Sequence, residues 1–383
     1  MNPKGRYLLI LRGMISFFFI AVPFNPYIGG VTLYLWFFLI FLDFDFLTKL
    51  TKINARSLLV FCMWVFISLL CGDILLACKI IMLALGITYL VIIGDGILNK
   101  IKWAFLLSCF WCIAQFGLFY LDPSISYSMG PSEISKSIWG ALATPSYTNQ
   151  FAVILLPRMS GLSREAGFFA SLLAIMFLIR LRDKNMKPWE LFIYFLSYLF
   201  SLSKISFSLI FVFVLYPIKK IINKVPAILT LVFVCSLSIF IALYLNVGSP
   251  VFYHASESIA HRLSSSYLVI NMYPSNLLFG CGDSLQCFYP ETTKSLIDGF
   301  LNAKGFEPTT GLNGVVISLG VIGFLGLILT IVVFKLQSFD VLIIALITST
   351  VTQFTIDGFV ILTYYYVLTN RYYDFPVFKS VKR

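Results

Sequence analysis

Three arginines, one lysine and one glutamate stand in this chain where almost everything around them is hydrocarbon. Residues 158–170 read RMSGLSREAGFFA, which places Arg158, Arg164 and Glu165 within one short stretch just ahead of an apolar run. Lys204, in SLSKIS, and Arg262, in HRLSSS, are cations in comparable settings at the ends of apolar segments. Arginine offers a fork of N–H donors that matches a phosphate, lysine a compact point charge, and a carboxylate either a base for a hydroxyl proton or a brace for an arginine. Together they have the chemistry that a diphosphate-bearing substrate would need. The same stretch also has a purely structural reading. In it Ser163 is the N-cap, Glu165 lies in the first helical turn, and Arg164 snorkels to lipid headgroups.

Those residues must be positioned by a membrane protein. The chain has 383 residues, 59% of them hydrophobic and only 12% charged, with a mean hydropathy of +0.92, a composition incompatible with a soluble domain of this length. Apolar runs near 7–23, 30–47, 57–71, 73–93, 103–121, 166–181, 189–202, 205–218, 226–245, 313–334, 340–356 and 358–369 predict an all-α, polytopic bundle of about twelve transmembrane helices, read as a single integral membrane domain over 1–383. The first run follows Lys4 and Arg6 as a signal peptide would, but Arg12 interrupts it and no small-residue cleavage site follows, so a retained helix is expected.

Charge then sets the topology. With both termini in the cytoplasm, the inside segments collect roughly 19 of the 28 Lys and Arg residues, the asymmetry of the positive-inside rule. Two long segments, 122–165 and 246–312, are left on the outer side. The net charge of +11 is thereby spent between apolar runs rather than on a basic face, which excludes a nucleic-acid partner. Cys109 and Cys112 form a C-x-x-C inside LLSCFWCIAQF and read as small helix residues, whereas Cys281 and Cys287 lie in the second outer segment and could bridge in an oxidising compartment. Gly280 and Gly282 in FGCGDS read as a tight turn, and His254 and His261 as loop residues. Trp139, Tyr147 and Tyr253 could stack on sugar rings. The outer segments hold no D-x-D pair and no His/Cys cluster, so no metal or other cofactor is expected.

RMSGLSREAGFFA resembles the R-x-x-G-x-x-x-E-P-[SG]-x-x-[AG] signature of the family of Wzy-type O-antigen and capsule polymerases and O-antigen ligases, with Arg158, Gly161, Glu165, Gly167 and Ala170 on the pattern and Ala166 at its proline. SLSKISFSLIFV is similar to the family's S-[RK] turn, which puts Lys204 at the basic position. HRLSSSYLVINMYPSNLLFGCGDS resembles its Arg followed by an fGxG turn, and GLNGVVISLGVIGFLGLIL its closing N-containing helix. These elements cover roughly residues 155–335. Ligases carry a His just before that helix, where this chain has Thr309, Thr310 and Gly311, so the resemblance favours a polymerase. It implies a metal-independent glycosyltransferase of the bacterial inner membrane, acting at the periplasmic face on undecaprenyl diphosphate-linked oligosaccharide repeat units, alongside membrane lipids and a chain-length regulator protein. Arg158, Lys204 and Arg262 would bind the diphosphate, with Arg158 and Arg262 also taking part in catalysis, and Glu165 would serve as base or as an arginine's brace. The alternatives are a ligase of the same family, or a transporter or flippase of lipid-linked oligosaccharide, which would concentrate ionisable residues within helices.

Overall fold

The computed structural model describes residues 3–28, 31–50, 55–144, 152–153, 156–182, 187–201, 214–282, 287–349 and 354. Lys204 and the helices expected near 205–218 and 358–369 lie wholly or largely outside these residues, as does Tyr147. The helices are α1 (Pro3–Ile20), α2 (Leu35–Leu39), α3 (Phe44–Lys49), α4 (Ala55–Leu70), α5 (Ile74–Ile93), α6 (Asp95–Leu121), α7 (Pro123–Ser128), α8 (Pro131–Trp139), α9 (Ala166–Arg182) and α10 (Pro188–Ser201). They continue with α11 (Lys219–Ile222), α12 (Ala227–Tyr244), α13 (Pro250–Ala255), α14 (Glu257–Val269), α15 (Pro290–Thr292), α16 (Gly314–Val333) and α17 (Ser338–Thr348). A π-helix spans Thr293–Asn302, and two antiparallel pairs of two-residue strands stand beside the helices, β1 (Tyr27–Ile28) with β2 (Val31–Thr32) and β3 (Ala152–Val153) with β4 (Leu156–Pro157). Four helices, α5, α6, α12 and α16, are long and apolar enough to cross a bilayer, since about 20 residues at about 1.5 Å each reach its roughly 30 Å core.

The described residues belong to two compact units. The first comprises the described residues within 1–53 and 85–201, the second those within 55–84 and 214–354.

In the first unit α6 is the axis. Its buried positions Ile97, Ile101, Phe105, Leu106, Ser108, Cys109, Cys112 and Gln115 recur at three- and four-residue spacing, while Trp103, Leu107 and Phe110 stay exposed on other faces. That is one stripe for protein and the rest for lipid. The helix expected over 30–47 is instead interrupted: α2 passes into a 3-10 turn, Ile40–Leu42, and the chain restarts as α3 after an extended Asp43. A carboxylate buried in an apolar run must find partners. Asp43 accepts from Arg12 Nε at 2.8 Å and Nη2 at 3.1 Å, from the Tyr89 hydroxyl at 3.0 Å and from the Asp45 amide at 3.0 Å. Arg12 Nη2 also reaches Asp45 at 2.7 Å.

In the second unit α16 carries the break. Gly320 adopts φ 62°, ψ −159° inside the helix, which frees backbone groups that a membrane helix cannot leave unpaired. The 277–282 turn supplies them. The Cys281 and Gly282 amides donate to the Ile317 and Ser318 carbonyls at 2.7 and 3.3 Å, and the Val321 and Ile322 amides donate to Leu277 and Leu278 at 2.8 and 3.3 Å. Gly280 and Gly282 are therefore more than a tight turn. A Cβ on Gly280 would sit 2.5 Å from the Ser318 carbonyl carbon and oxygen, so the backbones approach closely only without one. A disulfide joins Cys281 to Cys287. The described residues between 246 and 312 are largely helical, and Tyr253, Ala260, Leu268, Met272, Phe288 and Phe300 pack there in a core shared with Ala242 of α12 and Ile317 of α16.

Candidate functional site

The RMSGLSREAGFFA stretch leaves β4 and enters α9, and its backbone is pinned against α6 and α10 of the first unit. The Met159 amide donates to the Phe200 carbonyl at 3.0 Å, and the Leu162 amide to Ser108 Oγ at 2.9 Å. Met159, Ser160, Leu162 and Ser163 are all buried. Gly161 has φ +56°, and a Cβ there would lie 2.7 Å from both the Ser108 carbonyl oxygen and its Oγ, and 2.9 Å from the Phe169 ring. Only glycine meets both demands.

Two charged groups meet on this rigid loop. Arg158 Nη2 lies 3.7 Å from Glu165 Oε1, with the arginine side chain 19% exposed and the glutamate 44%. That spacing is an ion pair rather than a forked hydrogen bond. Burial holds the Arg158 pKa below the usual arginine value, against the opposing pull of Glu165. Arg164 does not snorkel as the structural reading expected; its Nη2 donates to the buried Thr32 hydroxyl at 3.1 Å, so it ties the β1–β2 hairpin to the loop. Nor does Glu165 occupy the first turn of α9. The helix begins at Ala166, and the Glu165 carbonyl accepts from the Phe169 amide at 3.0 Å, a cap position. Arg158, Arg164 and Glu165 thus stand within one short loop just ahead of a 17-residue helix, with one guanidinium turned to Glu165 and the other to Thr32.

Arg262 belongs to the second unit, on α14, and is half-buried. Its neighbour His261 is less loop-like than its sequence setting implied. The imidazole stacks on Phe306 with centroids 4.2 Å apart and planes 10° apart, and the Thr310 hydroxyl donates to the His261 carbonyl at 3.1 Å. Burial and the adjacent Arg262 push its pKa down to about 4, against a hydrogen bond to the Glu307 backbone. Nearby, Asn313 Nδ2 reaches Ser238 Oγ and Ser266 Oγ, each at 2.9 Å, and the Cys235 carbonyl at 3.3 Å, tying α12, α14 and the start of α16 together. Tyr253 is buried against Phe300 and unavailable as a sugar platform, whereas Trp139 is partly exposed but commits its indole N–H to the Phe24 carbonyl at 3.0 Å.

The structure thus brings Arg158 and Glu165 together, adds Arg164 through its loop, and places Arg262 in the other unit. Sequence reading missed the supports Thr32, Ser108 and Phe200, which have no chemical signature of their own. It also missed the partners of Arg12, although two aspartates in FLDFDF were the available signal. Among the described residues no three His, Cys, Asp or Glu side chains gather as a metal-ligand set. Compared with known proteins, the chain matches no family model, no curated protein and no solved structure.

Proposed function

We propose that this protein is a membrane glycosyltransferase that polymerises undecaprenyl diphosphate-linked oligosaccharide repeat units into a surface polysaccharide, at the periplasmic face of a bacterial inner membrane. The observation that carries this reading is the pinned loop itself: Arg158, Arg164 and Glu165 held at the mouth of α9, beside a helix long and apolar enough to cross the bilayer. A cationic, rigid, membrane-embedded edge suits an anionic group carried on a lipid. In the reaction the acceptor hydroxyl attacks the anomeric carbon of the growing chain, the bond from that carbon to the diphosphate oxygen breaks, and the diphosphate leaves with the electron pair. Arg158 stabilises the departing charge, and Glu165 takes the hydroxyl proton or braces Arg158. Lys204 and Arg262 are further candidates for phosphate contact. Twelve crossings with both termini in the cytoplasm, and a chain-length regulator as partner, belong to the same reading.

The interrupted α2–α3 segment and the Gly320 break in α16 favour a second reading, a transporter of lipid-linked oligosaccharide, because such proteins use discontinuous helices. Deleting the gene separates the two. A surface glycan reduced to one attached repeat unit means a polymerase; loss of all attached repeats means a flippase or ligase; an unaltered ladder overturns the polymerase reading.

A further inference from the structure

In the second unit two loops far apart in the chain meet at one end of the helices. The Asn223 side-chain amide donates to Gln337 Oε1 at 2.7 Å, the Phe339 amide donates to Asn223 Oδ1 at 3.0 Å, and the Ser338 hydroxyl donates to the Val225 carbonyl. These bonds fasten the segment ahead of α12 to the link between α16 and α17. They gather four lysines: Lys219, Lys220 and Lys224 from the first loop and Lys335 from the second. Lys219 Nζ stands 5.3 Å from the centre of the Phe339 ring, so its position is set across the junction. Lys220, Lys224 and Lys335 are exposed. The one carboxylate within 214–226 and 334–340, Asp340, is buried and accepts from the Gln337 amide at 2.9 Å as part of the cap of α17. Among the described residues none of the four lysines forms an ion pair. The helices set the level of the junction. α12 and α16 are each long and apolar enough to cross a bilayer, and Lys224 stands three positions before the first while Lys335 stands two after the second. Exposed Ile218, Ile221 and Val225 are interleaved with the lysines.

We infer that this junction is a binding site for the phosphate headgroup of an anionic membrane lipid, with the four lysines supplying the charge and Ile218, Ile221 and Val225 meeting the upper acyl chain. Lysine is a compact point charge that suits the single negative charge of a phosphodiester. Basic residues just beyond the end of a crossing helix attract anionic lipid, each strengthening the association about fivefold. A free phosphate would engage only the lysines and leave the apolar side chains in water, whereas a lipid at the rim of the hydrocarbon answers both. As topology signals the lysines would act loop by loop; the Asn223 bonds make residues more than 100 positions apart into one site. In the proposed topology the leaflet is the cytoplasmic one, but the site itself does not depend on that assignment.

The test uses the full-length chain with Ile221→Trp, an exposed position, reconstituted in phosphatidylcholine bilayers that contain brominated phosphatidylglycerol or, separately, brominated phosphatidylcholine. Quenching is read as the difference from the chain without that substitution, which cancels the six native tryptophans. The introduced tryptophan should report a preference for phosphatidylglycerol of about fivefold or more, falling toward one in high salt. Lys220→Gln and Lys335→Gln should each cut that preference by a few-fold, and Gln at all four lysines should abolish it. Asn223→Ala removes no charge but unfastens the loops, and should cut it as well. Thermal midpoints show which variants are folded, and the exposed Lys220 and Lys335 keep the test open if Asn223→Ala is not. Equal quenching by the two lipids, quenching by neither, or a preference that survives the fourfold replacement would overturn the inference, the second by showing water or a protein partner over the junction. A preference that falls with Lys220→Gln but not with Lys335→Gln would reduce the site to one loop and overturn it too. Inorganic phosphate, matched in ionic strength by chloride, should leave the preference intact; its loss would make a soluble phosphate the ligand and refute the lipid assignment. No measurement here involves glycan synthesis, so failure is separate from failure of the polymerase reading.

Discussion

Gly161→Ala is the sharpest test of the idea that the cationic loop is a rigid, built site. Two costs add. The residue has φ +56°, and a left-handed conformation costs a non-glycine residue about 1–2 kcal/mol. The new Cβ would lie 2.7 Å from the Ser108 carbonyl oxygen, a backbone atom that cannot swing aside, and overpacking of this kind typically costs about 1–3 kcal/mol. The sum is about 2–5 kcal/mol. It is concentrated where Leu162 bonds Ser108 Oγ, so the loop should move before the bundle unfolds. Because one colliding atom belongs to the backbone, Ser108→Ala cannot rescue the variant. Gly117→Ala on α6 is the control, since nothing lies within 4 Å of its Cβ, and alanine there should be neutral or stabilising by up to about 1 kcal/mol. The assay is the thermal midpoint of detergent-solubilised protein, read alongside the surface-glycan ladder. We expect Gly161→Ala to lower the midpoint by roughly 5 °C or more and to shorten the ladder, with Gly117→Ala unchanged in both. A Gly161→Ala protein with the wild-type midpoint and a full ladder would refute the argument that this loop is held by contact with Ser108.

Arg158→Ala should abolish polymerisation at normal protein abundance, because losing one charge-assisted contact costs about 1.5–3 kcal/mol; Lys at 158 should restore only part of it, and long ladders from the Ala variant would remove Arg158 from the site. Glu165→Gln should fail almost as badly as Glu165→Ala if the carboxylate takes the proton, and should be nearly harmless if it only caps α9, a difference read directly from the ladder. For His261 the folded-state pKa is depressed, from 6.5 to about 4, so between these values the unfolded chain binds more protons and stability falls as pH falls, by roughly 3 kcal/mol at most. Midpoints measured from pH 7 to pH 4 should decline more steeply for the wild type than for His261→Gln; parallel curves would contradict this. Replacing Cys281 and Cys287 by Ser together should destabilise by about 2 kcal/mol, the chain-entropy value for so short a loop, seen as a lower midpoint; an unchanged midpoint would show that the turn in the α16 break holds without its staple.

Composition and apolar run length were sufficient to predict a helical chain with segments able to cross a bilayer, because about 20 apolar residues in a row have one stable solution there. Among the described residues four helices are long and apolar enough to do so. The same local signals located α4, α5, α6, α9, α10, α12 and α16 to within a turn for the most part, though α6 begins eight residues before the expected 103 because its first two turns are polar. That Glu165 could brace an arginine was legible in the sequence, and the structure sets it 3.7 Å from Arg158, seven positions upstream. What sequence spacing could not carry was anything decided by residues distant along the chain. Asp43 interrupts a helix because Arg12 and Tyr89 come to meet it, 31 and 46 residues away. Gly320 breaks α16 because the turn at 277–282 is there to bond the exposed amides and carbonyls. Arg164 looked like a headgroup anchor until the fold set Thr32 beside it, 132 residues upstream. In each case the local propensity was unremarkable. The outcome was set by the need to pair a charge or a backbone group in a medium that offers no water, and only the tertiary structure determines which partner arrives.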